Sequence, residues 1–108
     1  MDATIARRLW KAIVMVEGGQ RMLVEADTKA SVPLPPYSTS LDEAYRVVAR
    51  MQSQGWTARI GADDDGRCRA VFAKPDGRLY LWSYASTGPE AICLAALAAQ
   101  DGRNFEPA

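Results

Sequence analysis

The sequence predicts an α+β fold, in which helices pack on an antiparallel sheet. Two segments carry apolar residues at helical spacing and begin with capping residues. Between them, three short runs alternate apolar and polar residues, as half-buried strands do. The chain has 108 residues, of which 48% are hydrophobic. This length and composition predict one domain with a modest hydrophobic core.

The segment of residues 1 to 32 predicts either a helix followed by a hairpin or one long helix. Residues 2 to 10 have apolar residues at helical spacing. The same spacing continues through residues 12 to 16, but the pair Gly18–Gly19 then separates two apolar runs, which indicates a hairpin. The glycine pair favours the helix with a hairpin, and the hairpin is expected to extend the sheet.

The central part of the chain, residues 33 to 100, begins with a proline-rich entry and a capped helix. Ser40 and Glu43 form a capping box, in which each side chain binds a backbone amide of the first turn. Gly55 can adopt the left-handed conformation that ends a helix. Between these positions, one stripe recurs at three- and four-residue spacing and is expected to be buried: Leu41, Ala44, Tyr45, Val48 and Met51.

Three strands and a second helix follow. The runs 56–60, 67–73 and 78–84 are separated by turns that contain glycine, so they predict an antiparallel meander. The helix predicted over residues 88 to 100 is apolar nearly all round, so it is either buried on more than one side or offers its alanines to a partner chain. Residues 101 to 108 have no periodicity and predict a frayed tail.

The composition argues against several classes of function. Thirteen basic and thirteen acidic residues cancel, which gives no general attraction to nucleic acid or to a membrane. Histidine is absent, so the commonest general base and zinc ligand is missing, and we expect neither an enzyme nor a cofactor or metal. Cys68 and Cys93 are predicted to be reduced and buried, with a disulfide or a redox role as the alternative. The longest apolar run, Ile92 to Ala99, is too short to cross a bilayer, so a cytoplasmic protein is expected.

The candidate functional site is the face of the meander that points away from its apolar side chains. Successive side chains alternate between the two faces of a strand, so the charged and aromatic residues of the three strands share one face. Arginine and large aromatic residues are enriched at protein interfaces, and they also stack on nucleic-acid bases. The predicted partner-binding residues are Arg59, Arg67, Arg69, Arg78, Tyr80, Trp82 and Tyr84.

Two alternatives apply to this part of the chain. The N-terminal helix or hairpin could cover the face, in which case the arginine stems only shield the rings. The run Asp63–Asp65 before Gly66 has the composition of a calcium loop, but its aspartates are consecutive, whereas a calcium loop spaces its ligands at alternate positions. A solvated turn fits this run better.

Three motifs in the central part resemble the phage ABA-sandwich domain family. They are YSTSLDEAYRVVARM from Tyr37, GW from Gly55 and GPEAICLAALAA from Gly88, and the resemblance covers about residues 34 to 100. It implies a small phage or prophage protein with helices on both faces of the sheet, as a layered α-β-α sandwich. It implies no catalytic motif that can be placed on this chain.

The resemblance and the candidate surface lead to one expected function and two alternatives. We expect a non-catalytic phage or prophage protein that binds a host protein in the bacterial cytoplasm, as an inhibitor of a defence system such as CRISPR–Cas. One alternative is an accessory or structural homo-oligomer that associates through the alanine-rich last helix. The other is a nucleic-acid-binding module that uses the arginine and aromatic face, which the balanced charge disfavours.

Overall fold

The computed structural model describes residues 1–24, 31–74, 79–80, 82–101 and 105–106. Its helices and strands confirm the predicted α+β class. The helices are α1 (Asp2–Trp10), α2 (Leu41–Ser53) and α3 (Gly88–Asp101). The strands are β1 (Ile13–Glu17), β2 (Gln20–Val24), β3 (Ser31–Pro33), β4 (Thr57–Ala62), β5 (Cys68–Ala73), β6 (Leu79–Tyr80), β7 (Ser83–Ala85) and β8 (Phe105–Glu106).

The N-terminal segment forms a short helix and a hairpin, not one long helix. Lys11 adopts the left-handed conformation, with φ of 55°, and ends α1. Gly18 and Gly19 join β1 to β2 with φ values of 57° and 80°. Positive φ at both central residues is the type I′ turn, whose twist matches that of the flanking strands and which glycine adopts without strain.

Within the described residues, the strands form two antiparallel sheets instead of one extended sheet. In the first sheet, β2 lies between β1 and β3. In the second sheet, the order is β4-β5-β6-β8, and β7 also pairs with β5. The hairpin therefore does not extend the meander as the sequence predicts, because β3 pairs with β2 and builds a separate sheet around the hairpin.

The third strand of the meander is interrupted. Predicted as one run, it forms β6 and β7, which both pair with β5. Leu79 pairs with Ala73, whereas Tyr84 pairs with Arg69, so the register shifts by one residue between the two short strands. Such a shift is the effect of a β-bulge, which re-aims the side chains near it. The tail, which the sequence predicts to fray, contributes β8 as a partner of β6.

Helix α3 lies at the centre of the core. It packs against β5 and β7 of the second sheet and against α2 and α1. Its buried side chains are small or aliphatic, which lets these neighbours approach closely: Ala91, Ile92, Cys93, Ala95, Ala96 and Ala99. Self-association through this helix stays a prediction, but most of the alanines on which it depends are buried within the chain.

The buried stripe of α2 is rotated relative to the predicted one. Leu41 and Tyr45, which the spacing places in the core, are exposed, whereas Val47 is fully buried. The spacing of apolar residues allows both orientations, and packing against α3 selects one of them because it covers a single stripe of the helix. The side chains that this stripe buries are Ala44, Val47, Val48 and Met51.

Ser40 caps α2, and its removal gives a first testable prediction. Its Oγ accepts a hydrogen bond from the Glu43 amide at 3.5 Å. Alanine at position 40 leaves this amide without its partner, so we expect Ser40→Ala to lower the free energy of unfolding by about 1 kcal/mol. Urea denaturation followed by circular dichroism measures the loss, with Thr39→Ala in the preceding exposed turn as the control. Equal losses in the two variants would contradict a capping role.

Candidate interaction surface

The second sheet has one face under the helices and one open face. Residues directly opposite each other on antiparallel strands point to the same side of a sheet. Arg59 pairs with Val71 on the β4–β5 ladder. Arg69 pairs with Gly61 on one side and with Tyr84 on the other, so these five residues share the open face. The opposite face packs under α3 and carries Ala58, Ala70, Phe72 and Ala85.

Two arginine–aromatic pairs lie side by side on the open face. The guanidinium carbon Cζ of Arg69 lies 4.9 Å from the centroid of the Trp82 ring. The Cζ of Arg67 lies 5.7 Å from the centroid of the Tyr84 ring. Both distances are within the range of cation–π attraction, which is worth about 0.5–1 kcal/mol at an exposed site. The pairs therefore hold two cationic groups over aromatic rings at the protein surface.

Asp63 and Gly61 position the Arg69 guanidinium. A carboxylate oxygen of Asp63 lies 3.6 Å from the Nε of Arg69, which is close enough for attraction but too long for a hydrogen bond. Within the described residues, this buried Nε has no hydrogen-bond partner. A Cβ at Gly61 would come 3.4 Å from the same atom, so the Arg69 side chain lies against the neighbouring strand β4 at this position.

The structure brings together most, but not all, of the predicted site residues. Four of them form the two pairs described above. Of these four, Arg67 and Tyr84 are exposed, whereas Arg69 and Trp82 are half-buried. Arg59 is exposed on the same face, on the neighbouring strand β4. Arg78 and the side chain of Tyr80 lie outside the described residues. We call the set Arg59, Arg67, Arg69, Trp82 and Tyr84 the arginine–aromatic surface.

One residue of the open face is not exposed. Val71 alternates with Arg69 along β5 and points outward, as the alternation predicts, yet it is only 1% exposed. Its strand is central in the sheet, between β4 and the short strands β6 and β7, so longer side chains surround it. Val71 is therefore not accessible to a partner, and the accessible part of the open face consists of its charged and aromatic residues.

The described parts of the N-terminal helix and hairpin make their main contacts away from this face. Helix α1 packs against α3, β1 and α2, and an ion pair between Arg8 and Asp101 joins it to the end of α3. The hairpin pairs with β3 in the first sheet. The alternative in which these elements cover the arginine–aromatic surface is thus not what the described residues adopt.

Sequence reasoning missed two neighbours of the meander. Asp63 contacts Arg69, and the only signal for this was its position in the turn that follows the paired strand. The Nζ of Lys74 lies 4.2 Å from the centroid of the Trp56 ring. The register that pairs Thr57 with Ala73 places these two residues opposite each other, but on the side of the sheet that packs under the helices.

A small cavity lies at the junction of α1 and the first sheet. Its volume is about 70 Å³, and its lining includes a stacked pair in which the rings of Trp10 and Tyr37 have centroids 5.2 Å apart. Burial raises the pKa of the Tyr37 phenol to about 12. The lining residues are Trp10, Leu23, Val32, Pro35, Tyr37 and Arg46. This volume suits one or two water molecules and is too small for a cofactor.

The titratable groups of the described residues offer little reactive chemistry. Burial, with the nearby Asp2 carboxylate, raises the pKa of the Cys93 thiol to about 12, so the thiol stays protonated and unreactive near neutral pH. Cys68 is half-buried, and both cysteines are free thiols. Among the described residues, no three histidine, cysteine or carboxylate side chains gather as metal ligands would. In the same part of the chain, no helix has the length and apolarity needed to cross a membrane.

Comparisons with known proteins agree with this architecture. The model of the phage ABA sandwich domain family matches residues 3–97. A crystal structure of a phage protein from Bacillus cereus ATCC 14579 superposes with a TM-score of 0.71 at 22% identity, covering 93% of this chain and 84% of that chain. At this identity the likeness shows a shared fold alone. A comparison with curated proteins found no match.

The family match spans far more than half of the 108 residues and includes all three helices except the last turn of α3. It also extends the resemblance noted in the sequence to the N-terminal helix and hairpin. This chain belongs to the phage ABA sandwich domain family.

Proposed function

We propose that this phage-family protein is a non-catalytic binder of a host bacterial protein, and that it acts as an inhibitor of a defence system such as CRISPR–Cas. The observation that carries the proposal is the pair of arginine–aromatic stacks on the open face of the second sheet. Arginine and tryptophan are the residue types that most often dominate binding energy at protein interfaces. Stacking on a ring also holds each guanidinium in place, so less conformational entropy is lost when a partner binds.

The charges around the surface favour a protein partner over nucleic acid. Asp63 lies beside Arg69, and Asp65 accepts a hydrogen bond from the backbone amide of Arg67. These carboxylates would repel a phosphate backbone at the same place where the arginines attract it. A protein surface, which carries both signs of charge, can match this mixed pattern.

A double charge reversal on the arginine–aromatic surface tests the proposal. We expect Arg59→Glu/Arg67→Glu to abolish the protection of a sensitive phage when the protein is produced in bacteria that carry the defence system. The measurement is the efficiency of plating on strains with and without that system. Both side chains are exposed, so the free energy of unfolding should change by less than about 1 kcal/mol.

Arg7→Glu/Arg21→Glu is the matched control, because it makes the same change in net charge at exposed positions of α1 and β2. We expect it to protect phage as well as the original protein does. If the surface variant still protects phage, the binding site is not on the arginine–aromatic surface. If the original protein protects phage on none of the defence-carrying strains tested, the proposal that it inhibits a defence system is wrong.

Nucleic-acid binding is the second candidate, because a guanidinium stacked on a tryptophan is also a platform for bases. Titration with a single-stranded oligonucleotide, followed by tryptophan fluorescence, distinguishes nucleic-acid binding from protein binding. We expect no saturable change at low salt. Saturable binding that weakens as salt rises would favour the second candidate over the first.

A further inference from the structure

Strand β4 is an edge of the second sheet. Among the described strands it pairs with β5 alone. Its six residues are exposed or half-buried, so no described element lies across its other side. It contains no proline, and Arg59 is its only charged residue. A charge in an edge strand opposes pairing with most strands but admits a strand that carries the opposite charge.

The hydrogen bonds to β5 decide which backbone groups of β4 face the open edge. The amide of Asp63 donates to the carbonyl oxygen of Arg67 at 2.7 Å, and this pair continues the register of the ladder by one residue. Hydrogen-bonded and non-hydrogen-bonded pairs alternate along an antiparallel ladder. The backbone of residues 59 and 61 therefore bonds to β5. The residues that direct their amides and carbonyls towards the open edge are Ala58, Ile60 and Ala62.

Two guanidinium groups follow this edge on the open face of the sheet. One belongs to Arg59, which is exposed. The other belongs to Arg69, which lies against Gly61: its Nε and one Nη would be 3.4 and 3.9 Å from a Cβ at that position. Positions 59 and 61 are two residues apart on the strand, or about 7 Å. An added strand with carboxylates at alternate positions matches this spacing.

These two arginines still have hydrogen-bond donors to offer. Among the described residues, Arg59 makes no ion pair, whereas Arg8 and Arg46 each pair with a carboxylate. The Asp63 oxygen is 3.6 Å from the Nε of Arg69, which is too long for a hydrogen bond. A guanidinium carries several N–H donors, so each of the two can bind a further carboxylate.

The opposite face of the same edge is apolar. Ile60 shares a face with Phe72, which is buried under α3, yet Ile60 itself is 43% exposed. The described helices therefore leave the outer part of this face uncovered at β4. An apolar side chain of an added strand, next to Ile60 on this face, would remove apolar surface from water.

We propose that a segment of the host protein adds to the open edge of β4 as a further strand, and that acidic and apolar residues alternate in this segment. Its acidic side chains lie next to Arg59 and the Arg69 guanidinium, and its apolar side chains cover Ile60. In strand addition, main-chain hydrogen bonds give affinity and alternate side chains give specificity. The inference rests on the proposed function, since it names the chemistry of the proposed partner. Strand β4 of a second copy does not fit, because it has no carboxylate.

Amide hydrogen exchange followed by NMR tests the strand addition, with a synthetic peptide of alternating glutamate and valine as the probe. In the chain alone, the amides of residues 59 and 61 should be protected, whereas those of Ala58, Ile60 and Ala62 should exchange rapidly. Saturating peptide should slow exchange at these three amides by at least about tenfold, because each gains a hydrogen bond.

A peptide of the same composition, with its glutamates and its valines in two separate blocks, is the control and should leave these amides unprotected. Equal protection by both peptides, or protection by neither, would overturn the proposal. Protection of the three amides in the chain alone would also overturn it, because the edge would then be covered by a second copy or by another part of the chain.

A proline at position 60 separates backbone pairing from side-chain contact. Ile60→Pro removes an amide that faces the open edge, so the ladder to β5 stays intact, and Ile60→Ala removes the same side chain but keeps the amide. We expect the proline variant to raise the dissociation constant of the peptide by at least about tenfold relative to the alanine variant. Equal affinities would overturn strand addition. If circular dichroism shows that Ile60→Pro is unfolded, Ala62→Pro, at the last residue of the strand, makes the same test.

A charge exchange tests the acidic half of the proposal. Arg59→Glu should raise the dissociation constant of the glutamate–valine peptide by about tenfold and should bind a lysine–valine peptide more tightly than the original chain does. Unchanged affinity for both peptides would overturn the proposal that the added strand is acidic.

The plating assay distinguishes failure of this inference from failure of the proposed function. We expect Ile60→Pro to lose the protection of phage, as Arg59→Glu/Arg67→Glu does. If only the charge-reversed variant loses protection, the host protein binds the arginine–aromatic surface without adding a strand, and this inference alone is wrong. If the original protein does not protect phage, the proposed function is wrong.

Discussion

Phe72→Ala is expected to lower the free energy of unfolding by about 3–5 kcal/mol. Phe72 is only 1% exposed and lies on β5, the central strand of the second sheet, under α3. Truncation of this side chain removes its packing against the sheet and α3 and leaves a cavity. Helix α3 cannot close the cavity by moving, because it already packs against several other elements. Folded domains have free energies of unfolding of about 5–15 kcal/mol, so this loss is a large part of the total.

Urea denaturation followed by tryptophan fluorescence measures the effect, and Ile60→Ala is the matched control. Ile60 is on the neighbouring strand and on the same face of the sheet, but it is 43% exposed. Its truncation leaves no enclosed cavity, so we expect a loss of about 1 kcal/mol or less. Similar losses in the two variants would mean that the core does not centre on β5 and α3.

Alkaline solution is expected to destabilise the protein through two buried acids. Burial raises the pKa of the Cys93 thiol from 9.0 to about 12 and the pKa of the Tyr37 phenol from 10.0 to about 12. The folded state thus keeps protons that the unfolded state releases. Below pH 9 both states bind these protons, and the stabilising effect is fully present. Above pH 9 the unfolded state binds fewer protons, so the free energy of unfolding falls by up to about 1.4 kcal/mol per pH unit for each group, until about pH 12.

The two groups can be separated by pH and by substitution. Between pH 9.0 and 10.0 only the thiol should contribute, so Cys93→Ala should remove most of the decline in this window, whatever it does to stability at pH 8. Tyr37→Phe should reduce the decline only above pH 10.0. A pH-independent free energy of unfolding in the original chain would show that neither group is shielded in solution.

Local features of this fold could be predicted from the sequence, whereas features that depend on long-range contacts could not. The start of α2 could be predicted because Ser40 and the Glu43 amide belong to one turn of the helix, and the hairpin could be predicted because Gly18 and Gly19 meet the φ requirement of its turn. The orientation of α2 could not, since Leu41 and Tyr45 fit an apolar stripe as well as Val47 does until α3 covers one side.

The arginine–aromatic surface could likewise be predicted only in part from the sequence. Alternation along β4 and β5 was enough to place Arg59 and Arg69 on one face. It could not place Trp82 over Arg69, because that contact depends on a one-residue shift between β6 and β7. Val71 also fits the outward pattern and yet is buried, since the alternation fixes direction and the neighbouring strands decide exposure.

By itself, the sequence determined the helices, the hairpin, the meander and the face to which the residues of β4 and β5 point, because these depend on spacing, caps and turns within a few residues. Tertiary structure alone decided that the hairpin joins β3 in a sheet of its own, that α2 buries Val47, and that Asp63 meets Arg69. Each of these is a contact between segments far apart in the chain, and its energy depends on which surfaces meet when the layers pack.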